Sequence, residues 1–269
     1  MIDTLLPFLM LGIFVAALLA RPLAKQRWVS LPVVLVVAGF LASEAWVALG
    51  HDTGLRWEIL RDLVFYLLVP ILIFEAAITI RMDRLRQEGV LIAALAIPLL
   101  VVAALAAAWL IYALMGDALG GNWTVALLIG TMICATDPAR RAGTPAMDAR
   151  AGKPCRARDI LEGESMLNDA TTITLFAVVS GLLLMPGASV SLPAALGQFA
   201  LALAGGAVLG FALGWLFNLV IDPANDKIVS TASTLVLAFA SFWVGEHLLG
   251  LSGVVTTLTA GLTFYVLGL

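Results

Sequence analysis

A short polar stretch within an apolar part of the chain, residues 162–172, carries the side chains best suited to chemistry. At 3.6 residues per helical turn these side chains fall on two adjacent stripes of one helix. The first stripe holds Glu162, Ser165, Asp169 and Thr172, and the second holds Glu164, Asn168 and Thr171. Hard cations prefer carboxylate, amide and hydroxyl oxygens as ligands. The stretch therefore predicts a binding site for a monovalent cation or a proton, centred on Asp169.

The overall composition places these charged groups in a membrane protein. Of the 269 residues 62% are hydrophobic and 12% are charged, and the mean hydropathy is +1.05. An ordinary globular domain has about 45–50% apolar and about 25% charged residues. This composition excludes a soluble enzyme, a nucleic-acid-binding protein and a disordered chain. The two cysteines, Cys134 and Cys155, supply neither a disulfide framework nor a metal cluster, and no cofactor is expected.

Nine apolar segments are predicted to span a bilayer, which takes about 20 residues per helix. The segments cover residues 2–20, 30–50, 63–80, 90–115, 124–138, 160–186, 191–221, 228–248 and 250–269. Short polar connections join them, for example residues 81–89. The sequence predicts an all-α polytopic membrane protein with one integral membrane domain, residues 1–269.

The basic residues predict the orientation of these segments. Of the 15 Lys and Arg residues, 13 fall in odd-numbered connections, and only Arg56 and Arg61 fall in even-numbered ones. Cytoplasmic loops of membrane proteins carry an excess of Lys and Arg. We therefore expect a multi-pass protein of the cell (inner) membrane with its N-terminus outside.

Ionisable side chains at membrane depth are costly and mark functional sites by default. The stretch 162–172 has a second interpretation, a set of hydrogen bonds that joins helices. Three carboxylates and one asparagine within eight residues favour the ion site. Glu44 and Glu246 lie near predicted helix ends, where we expect them to reach the interface. For Glu75, a helix-packing contact and a place on the ion pathway both stay open.

The fifth segment ends in Thr136, Asp137 and Pro138. Proline disfavours helical geometry at the preceding residue and removes one backbone donor, so this tripeptide predicts a break within the membrane. Broken helices in transporters face the substrate site, where their free backbone groups meet ions. The other interpretation is a helix that ends at the cytoplasmic surface.

Three glycines of the seventh segment recur every four residues, at Gly206, Gly210 and Gly214. Such a stripe of small residues lets two helices approach closely. The sequence predicts packing there, within one chain or between two chains.

Two motifs resemble a known family when they are taken together. Thr136-Asp137-Pro138, followed by the string from Glu162 to Asp169, resembles the paired signature of the cation:proton antiporter superfamily. The Asn-Asp pair is similar to that of its sodium/proton exchanger branch. Phe74-Glu75-Ala76, and the segment from Leu251 to Leu262, are similar to further family segments in the same order.

The resemblance implies exchange of Na⁺ or K⁺ for H⁺ by a transporter rather than an enzyme. Asp169 matches the essential aspartate that binds the ion and the proton, and Asn168 matches the neighbouring amide, which implies electroneutral exchange. Thr136 and Asp137 match the partly unwound crossing helix. The implied cation ligands are Asp169, Glu164, Ser165 and Thr136.

The resemblance also implies a fold of two inverted repeats, which form a dimerisation domain and a mobile core domain. Partners are then the transported ions, the lipid bilayer and a second copy of the chain, with no nucleic acid. Family members have more helices than the nine predicted here. The chain is thus expected to be truncated, with an incomplete second repeat.

One segment departs from the family pattern. After Pro138, family members continue with an apolar run, whereas residues 139–158 here mix Arg, Ala, Gly and Pro without helical periodicity. Two interpretations stay open. Either a GC-rich gene is read out of frame in this segment, or residues 139–159 form an extended basic connection on the cytoplasmic side.

Two rival functions remain at this point. Asp137 and Asp169 would be the catalytic dyad of an intramembrane aspartyl protease, since two carboxylates that share a proton can activate water. No Gly-x-Gly-Asp surrounds either acid, which counts against this interpretation. The other rival is a non-transporting remnant or a partner subunit of an antiporter.

Overall fold

The computed structural model describes residues 12, 18, 31–48, 50, 57–80, 82–135, 156–184, 192–220 and 227–267. All regular secondary structure within these residues is helical, which confirms the all-α prediction. The chain divides into two compact units, Met1–Val64 and Phe65–Leu269, each described by itself. The single membrane domain and the inverted repeats stay predictions.

Ten α-helices and three π-helical segments make up the described part of the chain. The first unit contains α1 (Leu31–Ala48) and α2 (Trp57–Leu63). The second unit contains α3 (Val69–Thr79), α4 (Met82–Ala94), α5 (Leu100–Met115), α6 (Trp123–Ile133), α7 (Arg156–Leu184), α8 (Leu192–Val220), α9 (Lys227–Trp243) and α10 (Gly253–Leu267). The π-helical segments are Val64–Leu68, Leu95–Leu99 and Val244–Leu248.

Within the described residues, four helical runs are long and apolar enough to cross a membrane. They are Ile59–Thr79, Leu85–Met115, Asp159–Leu183 and Pro193–Val220. These runs agree within a few residues with four of the predicted spans. Helices α6 and α10 are shorter apolar helices. Of the predicted span 2–20, only residues 12 and 18 are described.

Two predicted connections turn out to be partly helical. Residues 81–89 were predicted as a polar connection, but α4 already begins at Met82, and α7 begins at Arg156 rather than at residue 160. Arg, Leu, Gln and Glu are strong helix formers, so both helices extend beyond their apolar parts into these mainly polar segments. Asp83 in the first turn of α4 adds a favourable charge at the helix N-terminus.

Helix α10 lies at the centre of the second unit. Ten of its residues are buried, and it contacts α3, α7, α8 and α9. Its apolar side chains share two clusters with these neighbours, for example Leu258 with Ala170 and Phe242, and Phe264 with Phe74. The site-bearing helix α7 is thus anchored against a buried core helix.

The glycine stripe of α8 packs against α10 within this chain, which answers the question that the sequence left open. A Cβ atom at Gly210 would collide with the hydroxyl of Thr259 and the backbone carbonyl of Thr256. A Cβ atom at Gly214 would lie 2.6 Å from the carbonyl oxygen of Ala260. The backbones of the two helices therefore approach too closely for any side chain at these positions.

Candidate functional site

Helix α7 turns a row of polar side chains toward the interior of the second unit. Asn168, Thr171, Thr172 and Thr174 are all buried, with exposed fractions of 7% or less. Buried polar groups require hydrogen-bond partners. The arrangement of those partners defines the candidate site.

A ladder of side-chain hydrogen bonds runs along two turns of α7. The amide nitrogen Nδ2 of Asn168 donates to Oε1 of Glu164 at 3.2 Å, and Oγ1 of Thr172 donates to Oδ1 of Asn168 at 3.0 Å. These bonds fix the orientation of the Asn168 amide. Its carbonyl oxygen accepts the bond from Thr172, and an amide oxygen is one of the uncharged ligands that hard cations bind.

The ladder corrects one of the predicted stripes. The helical spacing predicts Thr172 on the stripe of Asp169 and Thr171 on the stripe of Asn168. Thr172 instead bonds to Asn168, because side chains four residues apart lie one above the other on a helix. The hydroxyl of Thr171 donates to the backbone carbonyl of Leu167 at 2.7 Å and takes no part in the ladder.

The predicted site residues of α7 differ in how far their side chains are exposed. Asp169 and Glu162 are exposed, whereas Glu164 and Ser165 are half-buried. Consecutive residues of an α-helix point about 100° apart, so Asp169 and the buried Asn168 lie on different sides of α7. The structure therefore places the accessible carboxylate and the buried, oriented amide at consecutive positions that face different sides of the helix.

The predicted break at Thr136, Asp137 and Pro138 lies outside the described residues, as does most of the segment 139–159. Helix α6, which leads toward this tripeptide, ends at Ile133 and packs against α7 and α5.

Gly163 has a structural role that the sequence analysis missed. It is buried, and a Cβ atom there would lie 2.8 Å from Cδ1 of Ile92, a side chain of α4 that is 1% exposed. In the sequence, the position of this glycine between two glutamates is the one feature that could have indicated the contact. It brings the N-terminal half of α7 close to α4.

The second half of α7 is joined to α10 by a pair of buried hydroxyls. Oγ1 of Thr174 and Oγ of Ser252 are 2.6 Å apart, and Oγ of Ser252 also accepts a hydrogen bond from the backbone N–H of Val255. Ser252 is thus the N-cap residue of α10, and its hydroxyl also contacts α7. The pair fixes the position of α7 two residues beyond the end of the ladder.

A double-mutant cycle with Thr174→Val and Ser252→Ala should show that the two hydroxyls are energetically coupled. We expect a coupling of about 0.5–1.5 kcal/mol, since a buried hydrogen bond contributes in this range. Thermal unfolding of the purified protein in maltoside detergent measures it. Additive effects of the two substitutions would contradict the contact. Ser180→Ala is a matched control, because Ser180 lies on the same helix but its hydroxyl bonds only to a local backbone carbonyl.

The remaining predicted carboxylates lie away from the ladder. Glu44 is exposed, and Glu75 is exposed on α3 between the buried residues Phe74 and Ala77, so it makes no buried packing contact within the described chain. Glu246 is exposed, and its Oε2 accepts a hydrogen bond from the backbone N–H of Gly253 at 2.9 Å. Its negative charge is favourable there, at the N-terminus of α10.

Comparison with known proteins identifies the family of this chain. Residues 10–267 match the family model described as "Sodium/hydrogen exchanger, transmembrane". The Na⁺/H⁺ antiporter NhaS2 of Synechocystis is 32% identical over 263 residues, which cover 97% of this chain and 45% of that protein. The Na⁺/H⁺ antiporter NhaH of Halobacillus dabanensis is 27% identical over 209 residues, or 77% of this chain and 50% of that protein.

A third relative shows the same relation in length. The Na⁺/H⁺ antiporter NhaG of Bacillus atrophaeus is 25% identical over 266 residues, which cover 94% of this chain and 48% of that protein. The chain spans about half the length of the curated relatives that it matches.

Proposed function

This chain belongs to the sodium/hydrogen exchanger family, and on that premise we propose that it forms the ion-binding part of a membrane antiporter that exchanges Na⁺ or K⁺ for H⁺. The observation that carries the proposal is the row of oxygen ligands on α7. The ladder Glu164–Asn168–Thr172 lies beside the accessible carboxylate of Asp169. The relatives are named as Na⁺/H⁺ antiporters, which favours this function over an intramembrane protease.

Exchange follows from competition at one carboxylate. A carboxylate that leaves water holds its proton more tightly, and a nearby cation favours the ionised form. Asp169 therefore carries either H⁺ or the cation. If only these two loaded forms pass between the inward- and outward-facing states, each cation that crosses in one direction is matched by a proton in the other.

The neighbouring residues have distinct roles in this proposal. Asn168 supplies an uncharged oxygen, held in place by its two bonds along the helix. Glu164 and Ser165 contribute further oxygens one turn before Asp169. Thr136 and Asp137, proposed from the family resemblance, complete the site from the crossing helix.

The setting of the transporter is part of the same proposal. The split of 13 to 2 basic residues between alternate connections supports a cell (inner) membrane protein with its N-terminus outside. A homodimer is proposed by family resemblance. The protein acts as a transporter and not as an enzyme.

Proteoliposomes with a pH-sensitive dye in the lumen test the proposal. Addition of Na⁺ or K⁺ outside should raise the luminal pH, and an equal concentration of an impermeant organic salt should not. A correctly folded and inserted protein that gives no cation-dependent pH change would favour the remnant or partner subunit. Cleavage of membrane peptides in detergent, blocked by loss of Asp169, would instead support the protease.

Replacement of Asn168 by Asp should make exchange sensitive to membrane potential. The variant places a second carboxylate beside Asp169 and opposite Glu164, which couples the titrations of these groups. A second proton carried per cycle moves net charge, so an imposed inside-negative potential should change the rate of Na⁺-driven proton flux. The wild-type rate should be insensitive to the same potential. An unaltered response in the variant would contradict the account with one exchanging carboxylate.

A further inference from the structure

Two of the three π-helical segments meet at one place in the second unit. Tyr66 lies in Val64–Leu68, His247 lies in Val244–Leu248, and their ring centroids are 5.0 Å apart. π-helical turns are rare and frequently occur at functional sites. Neither segment contributes to the ladder on α7. The contact between the two segments therefore has surroundings separate from the site on α7.

A recess opens beside the contact. Its volume is about 480 Å³, and it is lined by Tyr66, Phe239, Ala240, Phe242, Trp243 and His247. Pockets that hold small organic molecules have volumes of about 300–1,000 Å³. Phe242 is 2% exposed and forms the floor, whereas Tyr66 and Trp243 are 40% and 51% exposed at the rim. A ligand can therefore reach the aromatic rings from outside.

The rings are held by one another in defined orientations. Tyr66 meets Phe242 edge to face, with centroids 6.0 Å apart and planes at 82°. Trp243 and His247 lie nearly parallel, with planes at 10° and centroids 6.0 Å apart. One helical turn separates Trp243 from His247, so the helix itself fixes this pair. The recess is thus an ordered aromatic surface.

The chemistry of the lining side chains indicates which class of ligand the recess can bind. Aromatic faces attract cations, and quaternary ammonium groups are the ligands that such rings bind best in proteins. The six lining residues include no carboxylate. A small cation such as Na⁺ needs several oxygen ligands to replace its water shell, and among the six lining side chains only Tyr66 carries an oxygen. We propose that this recess binds a quaternary ammonium cation, either as a free solute or as the headgroup of a choline lipid.

Choline and its uncharged carbon isostere, 3,3-dimethyl-1-butanol, separate this proposal from simple apolar binding. Both should be titrated into the purified protein in maltoside detergent, with calorimetry and tryptophan fluorescence as readouts. Saturable binding of choline at least about tenfold tighter than binding of the isostere is expected, because only the cation interacts with the ring quadrupole. Equal or tighter binding of the isostere, or no saturable binding of choline, would overturn the proposal.

Substitutions locate the binding in the recess. Trp243→Leu and Tyr66→Leu should each weaken choline binding by about fivefold or more, and Trp243→Phe should retain part of the affinity. Trp109→Leu is the matched control, because Trp109 is 65% exposed on α5 and does not line the recess. Calorimetry is the readout for these variants, and an unchanged thermal unfolding midpoint identifies those that fold. Unchanged binding in folded Trp243→Leu and Tyr66→Leu proteins would place the site elsewhere and overturn the proposal.

Two further ligands distinguish the sources of the cation. A short-chain phosphatidylcholine that binds more tightly than choline, while the matching phosphatidylglycerol does not bind, identifies a lipid headgroup. Choline that binds as tightly as the phosphatidylcholine identifies a free solute. Either result supports the aromatic recess as the site, provided that the leucine substitutions weaken the binding of that ligand. None of these measurements depends on cation–proton exchange, so the recess can fail while the exchange function stands.

Discussion

Replacement of Asp169 by Asn should reduce cation–proton exchange to the level of liposomes without protein. The amide has nearly the shape of the carboxylate but neither ionises nor carries an exchangeable proton, so H⁺ and the cation no longer compete for it. Asp169 is exposed on α7, and exposed substitutions typically change stability by less than about 0.5 kcal/mol. The variant should therefore insert and unfold like the wild type. Dye-reported proton flux after a Na⁺ or K⁺ pulse measures the loss.

Asp83→Asn is the matched control for this experiment. Asp83 is also exposed, but it lies in the first turn of α4 and is not one of the residues of the ladder on α7. Its variant should exchange ions at close to the wild-type rate. Persistent cation-dependent proton flux in the Asp169→Asn protein, at equal amounts of inserted protein, would refute the assignment of Asp169.

The helical architecture and the position of α7 could be predicted because both depend on local pattern. Apolar runs of the length of a bilayer predict spans, and the 3.6-residue period places Glu164 and Asn168 on one side of a helix. The buried ladder that these two residues form with Thr172 follows from that spacing. The grouping of the stripes was wrong for Thr172, because a stripe drawn with steps of three and four residues admits two partners for this residue.

Other features depend on how the chain turns and packs beyond one helix, and they left no signal in the local pattern. The cap that Glu246 supplies to Gly253 exists only because the chain turns back between α9 and α10. The π-helical segments contain the same kinds of residue as the α-helices beside them, so hydropathy does not separate the two. The exposure of Glu75 depends likewise on which neighbours reach α3.

The glycine stripe of α8 is an intermediate case, since its spacing predicted close packing but not the partner. The packing partner is α10, and loss of close contact between the two helices is expected to have a large effect on stability. Gly210→Ala should destabilise the protein by about 3 kcal/mol or more, because the new methyl group would meet the carbonyl of Thr256. Backbone atoms cannot rotate away as the end of a flexible side chain can, so the two helices must separate. Thermal unfolding in maltoside detergent measures the loss.

Gly197→Ala on the same helix separates this packing effect from helix propensity. Gly197 is exposed and has open space where its Cβ would stand, so alanine there should be neutral or stabilise α8 by about 1 kcal/mol. Helix α10 carries Ser252, which holds Thr174 of α7. A displaced α10 should therefore also lower exchange at Asp169, whereas Gly197→Ala should leave exchange unchanged. Equal stability and equal exchange rates in the two variants would show that close contact between α8 and α10 does not position the ion-binding helix.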